Sequence, residues 1–135
     1  MSQKPASYLI VFAGLNGLVA TALSAVGAHA LPADITEAGR SFFATATRFH
    51  MMHSLAMLGA AIFLQVSRQN FAKWAAISFQ LGICAFSFSL YWRVFMGEGS
   101  LGSFHWVTPF GGLMLMVGWI YLTLAGFKAT VQKTG

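Results

Sequence analysis

The feature that most constrains this chain is the length of its apolar runs. Residues 8–30 and 106–127 each form a run without a charged residue. Between them, 42–66 holds Arg48 as its single charge, and 74–96 holds Arg93 close to its end. At ~1.5 Å rise per residue, about 20 apolar residues cross a hydrocarbon core of ~30 Å, and all four runs reach that length. They are continuous rather than alternating and too long for barrel strands. Charged residues are 8% of the chain against 57% apolar, where a soluble domain carries about a quarter charged. The chain is therefore read as an all-α integral membrane protein, one domain over 1–135. Its four-transmembrane-helix bundle has helices at about 8–30, 42–66, 74–96 and 106–127.

The few charges orient this bundle. Lys4 precedes the first segment, Arg68 and Lys73 fall between the second and third, and Lys128 and Lys133 follow the fourth. All three acids, Asp34, Glu37 and Glu98, lie in the other two connections, with Arg40 and Arg93 near them. Lys and Arg collect on the cytoplasmic side of a membrane, so both termini are expected there. The expected location is a bacterial cytoplasmic (inner) membrane, or the mitochondrial inner membrane if the source is eukaryotic. The basic balance suits anionic lipid. No face interleaves basic and aromatic residues, so nucleic acid is not an expected partner.

Lys4, the first run and Ala28-His29-Ala30 imitate a signal peptide with a small-x-small cleavage site. The run is longer than a usual signal core and its positive end is weak, so it is read as a span. Cys84 is the single cysteine, which rules out an internal disulfide. Asp34 stands three residues before Glu37, the spacing of a helix N-cap with its capping-box partner. Thr108-Pro109 reads as an N-cap followed by a first-turn proline. Gly97–Ser103 holds three glycines and reads as the loosest loop. Trp92 and Trp106 suit the outer interface, and Trp74 the inner one.

Small and polar residues mark one face of each segment. Asn16, Ala20, Ser24 and Gly27 recur at helical spacing in the first, with Gly17 beside them, and Gly111, Gly112 and Gly118 do the same in the fourth. Small residues let helix backbones approach closely in lipid, so Gly17, Ser24, Gly27, Gly111, Gly112 and Gly118 are expected at helix contacts. In the third segment Gln80, Cys84, Ser87 and Tyr91 form one polar stripe, which must face protein or water. His50 and His53 share a face of the second segment, and His53 falls near the bilayer midplane. His29, Arg48, His53, Ser87, Tyr91 and Thr108 gather toward the outer half and form a candidate polar cluster. For each, the competing reading is hydrogen bonding between helices or, for Arg48, snorkelling to the interface. The spacing His50-x-x-His53 is compatible with a metal, but no carboxylate lies at that depth and there is no second cysteine. No metal or cofactor is expected. With no acid to orient a Ser–His pair, no catalytic residue is expected either.

Several motifs together carry a resemblance. Gly27-Ala28-His29-Ala30-Leu31 closes the first segment, and Thr45-Ala46 and His53-Ser54-Leu55-Ala56 lie in the second. Phe86-Ser87-Phe88-Ser89-Leu90-Tyr91 lies in the third; Thr108-Pro109-Phe110-Gly111-Gly112 and Gly118-Trp119 lie in the fourth. In this order they resemble the YgdD-like family of small four-helix inner-membrane proteins, domain-of-unknown-function family 423, over about 14–119. The resemblance implies fold and membrane location, and it points to His29, His53, Ser87, Tyr91, Thr108, Pro109, Gly111, Gly112 and Trp119. It implies no reaction. Phe49 and His50 stand where the family pattern favours tyrosine then glutamine, and Phe88 where it favours glycine, so His50 is read as a local substitution.

Three readings of function stay open. The first is a non-enzymatic accessory or assembly subunit of a membrane complex, whose partners are the lipid bilayer and either other membrane subunits or a second copy. The second is a small transporter or proton-conducting element, which requires a wet path from the outer side to His53. The third is a haem- or quinone-associated redox protein.

Overall fold

The computed structural model describes residues 4–133. The Lys133 side chain, one of the basic groups counted above, lies outside the described residues. Helix α1 runs Lys4–His29, α2 Glu37–Ser67 and α3 Asn70–Gly82. A π-helical turn, Ile83–Ser87, joins α3 to α4, Phe88–Met96. A short 3-10 turn, Gly102–Phe104, leads to α5, Val107–Lys133. The α3–π–α4 stretch is one span, so four helices are long and apolar enough to cross a membrane. The described residues contain no strand.

α2 starts five residues before its apolar run, and a polar side chain caps that end. α2 starts at Glu37, and its N-cap is Thr36 rather than Asp34. The Thr36 hydroxyl accepts from the Gly39 N–H at 2.9 Å and donates to the Glu98 carboxylate at 2.9 Å. One side chain thus caps α2 and ties the first connection to the third, which Asp34 does not do. Arg93 Nε donates to the Glu98 carbonyl at 2.8 Å, so the glycine-rich loop is braced from two sides. At the start of α5, Thr108 shares a hydrogen bond with Ser89 on α4 at 2.8 Å, and the helix begins one residue before it.

α2 and the third span form the centre. α1 packs chiefly on α2, and α5 on α3 and the π turn. In the third span 56% of the most apolar window is buried, against 17% in α1 and 22% in α5. Close approach comes from alanine: Ala46, Ala60, Ala61, Ala72, Ala75 and Ala76 have no exposed surface. Two apolar clusters result. One contains Met57, Ala60, Phe79, Ile83 and Leu115; the other contains Phe43, Ala46, Leu90, Tyr91 and Val94. Along α2 and the third span, His50, His53 and Ser87 fall between them.

Candidate functional site

α2 is 31 residues long, and at ~1.5 Å per residue His50 and His53 stand near its middle, deep in the bilayer. They belong to two different arrangements. His50 is fully buried and sits in a hydrogen-bonded chain that crosses three spans. Its Nδ1 meets the Tyr91 hydroxyl on α4 at 3.1 Å, and its Nε2 meets Asn16 Oδ1 on α1 at 3.1 Å. Asn16 Nδ2 donates to the Phe12 carbonyl at 2.8 Å and to Gln80 Oε1 on α3 at 2.6 Å. Gln80 Nε2 in turn donates to Cys84 Sγ at 3.3 Å.

The partners decide the tautomer. The Asn16 amide nitrogen serves two acceptors, so its oxygen faces His50 and needs a donor. His50 therefore carries its proton on Nε2, and Nδ1 accepts from the Tyr91 O–H. His53 is the reverse. Trp119 Nε1 on α5 can only donate, and it reaches His53 Nε2 at 3.2 Å. His53 Nδ1 then donates to the Phe49 carbonyl at 2.7 Å. Phe49 stacks on the His53 ring at 5.6 Å between centroids, with Phe79 at 5.7 Å and Trp119 at 6.0 Å. Two neutral histidines three residues apart thus hold opposite tautomers, each fixed by a different neighbouring helix.

The other predicted cluster residues are spread out. Ser87 is buried and donates to the Ala46 carbonyl on α2 at 3.0 Å. Thr108 pairs with Ser89. His29 and Arg48 are exposed and stand apart from both histidine arrangements. Tyr91 is the one cluster residue in the His50 chain, and His53 is the one bonded to Trp119. The packing residues also divide. A Cβ on Gly27 would meet the Phe43 ring at 2.8 Å, and one on Gly118 the Phe79 ring at 2.5 Å. One on Gly111 would lie 2.6 Å from the Ala85 carbonyl carbon, and one on Gly112 would touch the Phe86 ring at an ordinary 3.7 Å. Gly17 has open space in front of it, and Ser24 is exposed and bonds back to Ala20.

Sequence reasoning missed His50 and the partnership of Asn16 with Gln80. The available signal was depth: a histidine, an asparagine and a glutamine stranded in apolar runs must find one another or water. The π turn explains why the stripe from Gln80 to Tyr91 splits. The Phe88 N–H bonds to the Ile83 carbonyl, five residues back, which shifts the register after Ser87. Gln80 then meets α1 while Ser87 and Tyr91 meet α2.

Chemically, the interior is closed. Among the described residues, no buried side-chain nitrogen or oxygen lacks a hydrogen-bond partner. His53 is 3% exposed, and the rings of Phe49, Phe79 and Trp119 lie around it. Both ring nitrogens of each histidine are engaged, so an iron would have to displace an existing bond at either one. Among the described residues, no three His, Cys, Asp or Glu side chains come together.

The family model described as a protein of unknown function, DUF423, matches residues 23–112. The chain belongs to the DUF423 family. It is 35% identical over 119 residues to a UPF0382 membrane protein of Staphylococcus aureus (strain bovine RF122 / ET3-1), covering 88% of this chain and 94% of that one. It is 35% identical over 123 residues to a UPF0382 membrane protein of Haemophilus influenzae, covering 90% and 94%. It is 28% identical over 121 residues to the UPF0382 inner membrane protein YgdD of Escherichia coli K12, covering 90% of each chain. No solved structure matches. The resemblance in the motifs is therefore a family membership, and this DUF423 chain is a multi-pass membrane protein. The matched stretch contains His29, Arg48, His50, His53, Ser87, Tyr91 and Thr108.

Proposed function

We propose that this protein is a non-enzymatic accessory or assembly subunit of a larger membrane complex. It sits in a bacterial cytoplasmic membrane with both termini in the cytoplasm, or in the mitochondrial inner membrane of a eukaryote. The observation that carries this reading is the outward face of α1. Gly14, Gly17, Thr21, Ala25 and Ala28 follow helical spacing on that face and are exposed or half-exposed. A Cβ added at Gly14 or Gly17 would meet nothing within 4 Å. In lipid, small residues on an exposed helix face let another backbone come close. The interior supports the same reading: among the described residues, every buried side-chain nitrogen and oxygen already has a hydrogen-bond partner. Orientation rests on Lys4, Arg68, Lys73, Lys128 and Lys133 lying at the end opposite the acids, and location on the relatives named as membrane or inner membrane proteins.

Purification from native membranes in mild detergent tests the reading. A crosslinked adduct through α1, heterologous or with a second copy, is the expected result. Migration as a lone monomer, with no partner retained after crosslinking, would overturn it.

A further inference from the structure

The end of the bundle that carries the basic residues also carries a cleft. Its volume is about 520 Å³, and it is lined by the turn between α2 and α3 and by the end of α5. Arg68 and Gln69 line it from the turn, Trp74 from α3, and Lys128 and Gln132 from α5. None of the lining residues is acidic. The chain's three acids sit at the opposite end, Asp34 and Glu98 in connections and Glu37 at the start of α2. Among the described residues, two cations therefore border one cleft with no acidic side chain in its lining.

These groups are held in place. Gln69 is 7% exposed, and its side-chain nitrogen donates to the Gln132 side-chain oxygen at 2.6 Å, bracing the turn against α5. The Lys128 ammonium lies 5.2 Å from the centroid of the Phe71 ring. Arg68 caps α2 in the left-handed conformation, φ 54° and ψ 26°, with its N–H on the Leu64 carbonyl at 2.9 Å. Glycine takes this position without steric cost. Arginine takes it only against its Cβ, and in return puts a guanidinium at the cleft.

Phosphate is what such a lining recognises. A guanidinium gives two parallel N–H bonds to phosphate oxygens, and an ammonium adds a point charge. Volume says what carries the phosphate. Ligand sites run from about 300 to 1,000 Å³, and a water takes about 30 Å³. A bare phosphate would fill a small part of this cleft, whereas a phosphoglycerol headgroup would fill much more. Depth agrees: Trp74 is exposed beside the cleft, as aromatic residues are at headgroup level. We infer that the cleft between the α2–α3 turn and the end of α5 binds the phosphate of an anionic phospholipid headgroup, with Arg68 and Lys128 as its charge contacts. Basic pockets between spans are suited to such headgroups. The inference is independent of the docking face on α1.

The test is native mass spectrometry of the full chain in nonionic detergent, with dioleoylphosphatidylglycerol, dioleoylphosphatidylcholine and inorganic phosphate as probes. The glycerol lipid is expected to be retained about 30-fold more than the choline lipid, the effect of two basic contacts. Arg68→Gly, which suits the local backbone and preserves folding, is expected to lose part of that preference. Arg68→Gly with Lys128→Gln is expected to abolish it. Lys4→Gln with Arg40→Gln removes the same charge away from the cleft and is expected to keep it. A preference that survives the cleft double variant at unchanged thermal stability overturns the site, as does an equal loss in the control. Displacement of the lipid by millimolar inorganic phosphate would assign the cleft to free phosphate instead and overturn the headgroup.

Discussion

Gly111 and Gly118 of α5 and Gly14 and Gly17 of α1 sit in similar apolar sequence and do opposite things. Gly111 and Gly118 are used up inside the bundle. The first lies against the Ala85–Phe86 backbone of the π turn, and the second against the Phe79 ring. Gly14 and Gly17 face open space. In water this difference would mean little, since exposed glycine is common. In lipid it separates positions whose packing is complete within one chain from positions whose packing is not. The interior, with every described buried polar side-chain atom partnered, belongs with α5. The outward face of α1, in a span whose apolar window is 17% buried, is where the proposed partner would dock.

The largest expected effect breaks the α5 side of that contrast. Gly111→Val would drive its Cβ into the backbone of Ala85 and Phe86, which cannot rotate away as a side chain could. Overpacking of this kind costs about 1–3 kcal/mol and occasionally more, and here the upper end is expected because the obstacle is backbone. Gly14→Val, the matched change on α1, is expected to stay within about 0.5 kcal/mol of the parent, as at other exposed sites. Thermal unfolding of both variants in the same detergent decides it. Equal losses would mean that α1 is packed as tightly as α5.

His50 comes next. Removing its ring leaves Asn16 Oδ1 and the Tyr91 hydroxyl without their partner and opens a void between three spans. His50→Ala is expected to cost about 2–3 kcal/mol, near the upper range for orphaned buried groups. His50→Gln, which still offers one donor and one acceptor, should recover much of that. His53→Ala loses a single bond between helices and should cost about 1–2 kcal/mol. If His53→Ala proved the more damaging in a melting series, the chain through Asn16 would not be the chief polar brace.

The four spans were legible in the sequence because run length is a local property and a bilayer sets its threshold. Much of the interior was not legible, because it depends on which faces meet. The family pattern with glutamine at position 50 makes His50 look incidental, yet the ring links α1 to α4 through Asn16 and Tyr91. A regular 3.6-residue period places Gln80 and Tyr91 on one face. The π turn separates them, and it is accommodated by the close approach of Gly111 and by Ser87 bonding to Ala46, both tertiary contacts. Thr36 displaces Asp34 as the cap of α2 while its hydroxyl also reaches Glu98, 62 residues away. Of the candidate cluster, the types were visible and the partners were not: Trp119 was carried by the motif, but nothing local paired it with His53.

Trp119→Phe sharpens the contrast at lower cost. The phenyl ring keeps most of the contact with Phe79 and His53 but removes the one N–H that His53 Nε2 accepts. A loss of about 1 kcal/mol is expected, the usual net worth of one hydrogen bond. With the indole donor gone, the tautomer of His53 is no longer imposed from α5, and nitrogen-15 NMR of the ring should show the Nε2–H form appearing. His50, fixed by Asn16, should keep its signal. A change at His50 as well would mean that the two histidines form one coupled unit.

The smallest effect on stability is expected where the effect on association is largest. Gly17→Leu adds a side chain with nothing within 4 Å of its Cβ, so the isolated chain should melt within about 0.5 kcal/mol of the parent. The same side chain would hold any neighbouring helix away from the Gly17-Thr21-Ala25 face, and packing forces in lipid fall off steeply with such a gap. Crosslinked adducts from native membranes should therefore disappear in Gly17→Leu while persisting in Trp119→Phe, which is the less stable of the two. If adducts survive Gly17→Leu unchanged, the open glycines of α1 face only lipid. If they are lost equally in both variants, association follows overall stability rather than this face. Loss in Gly17→Leu alone, at an unchanged melting temperature, would make α1 the surface on which this protein is completed by another.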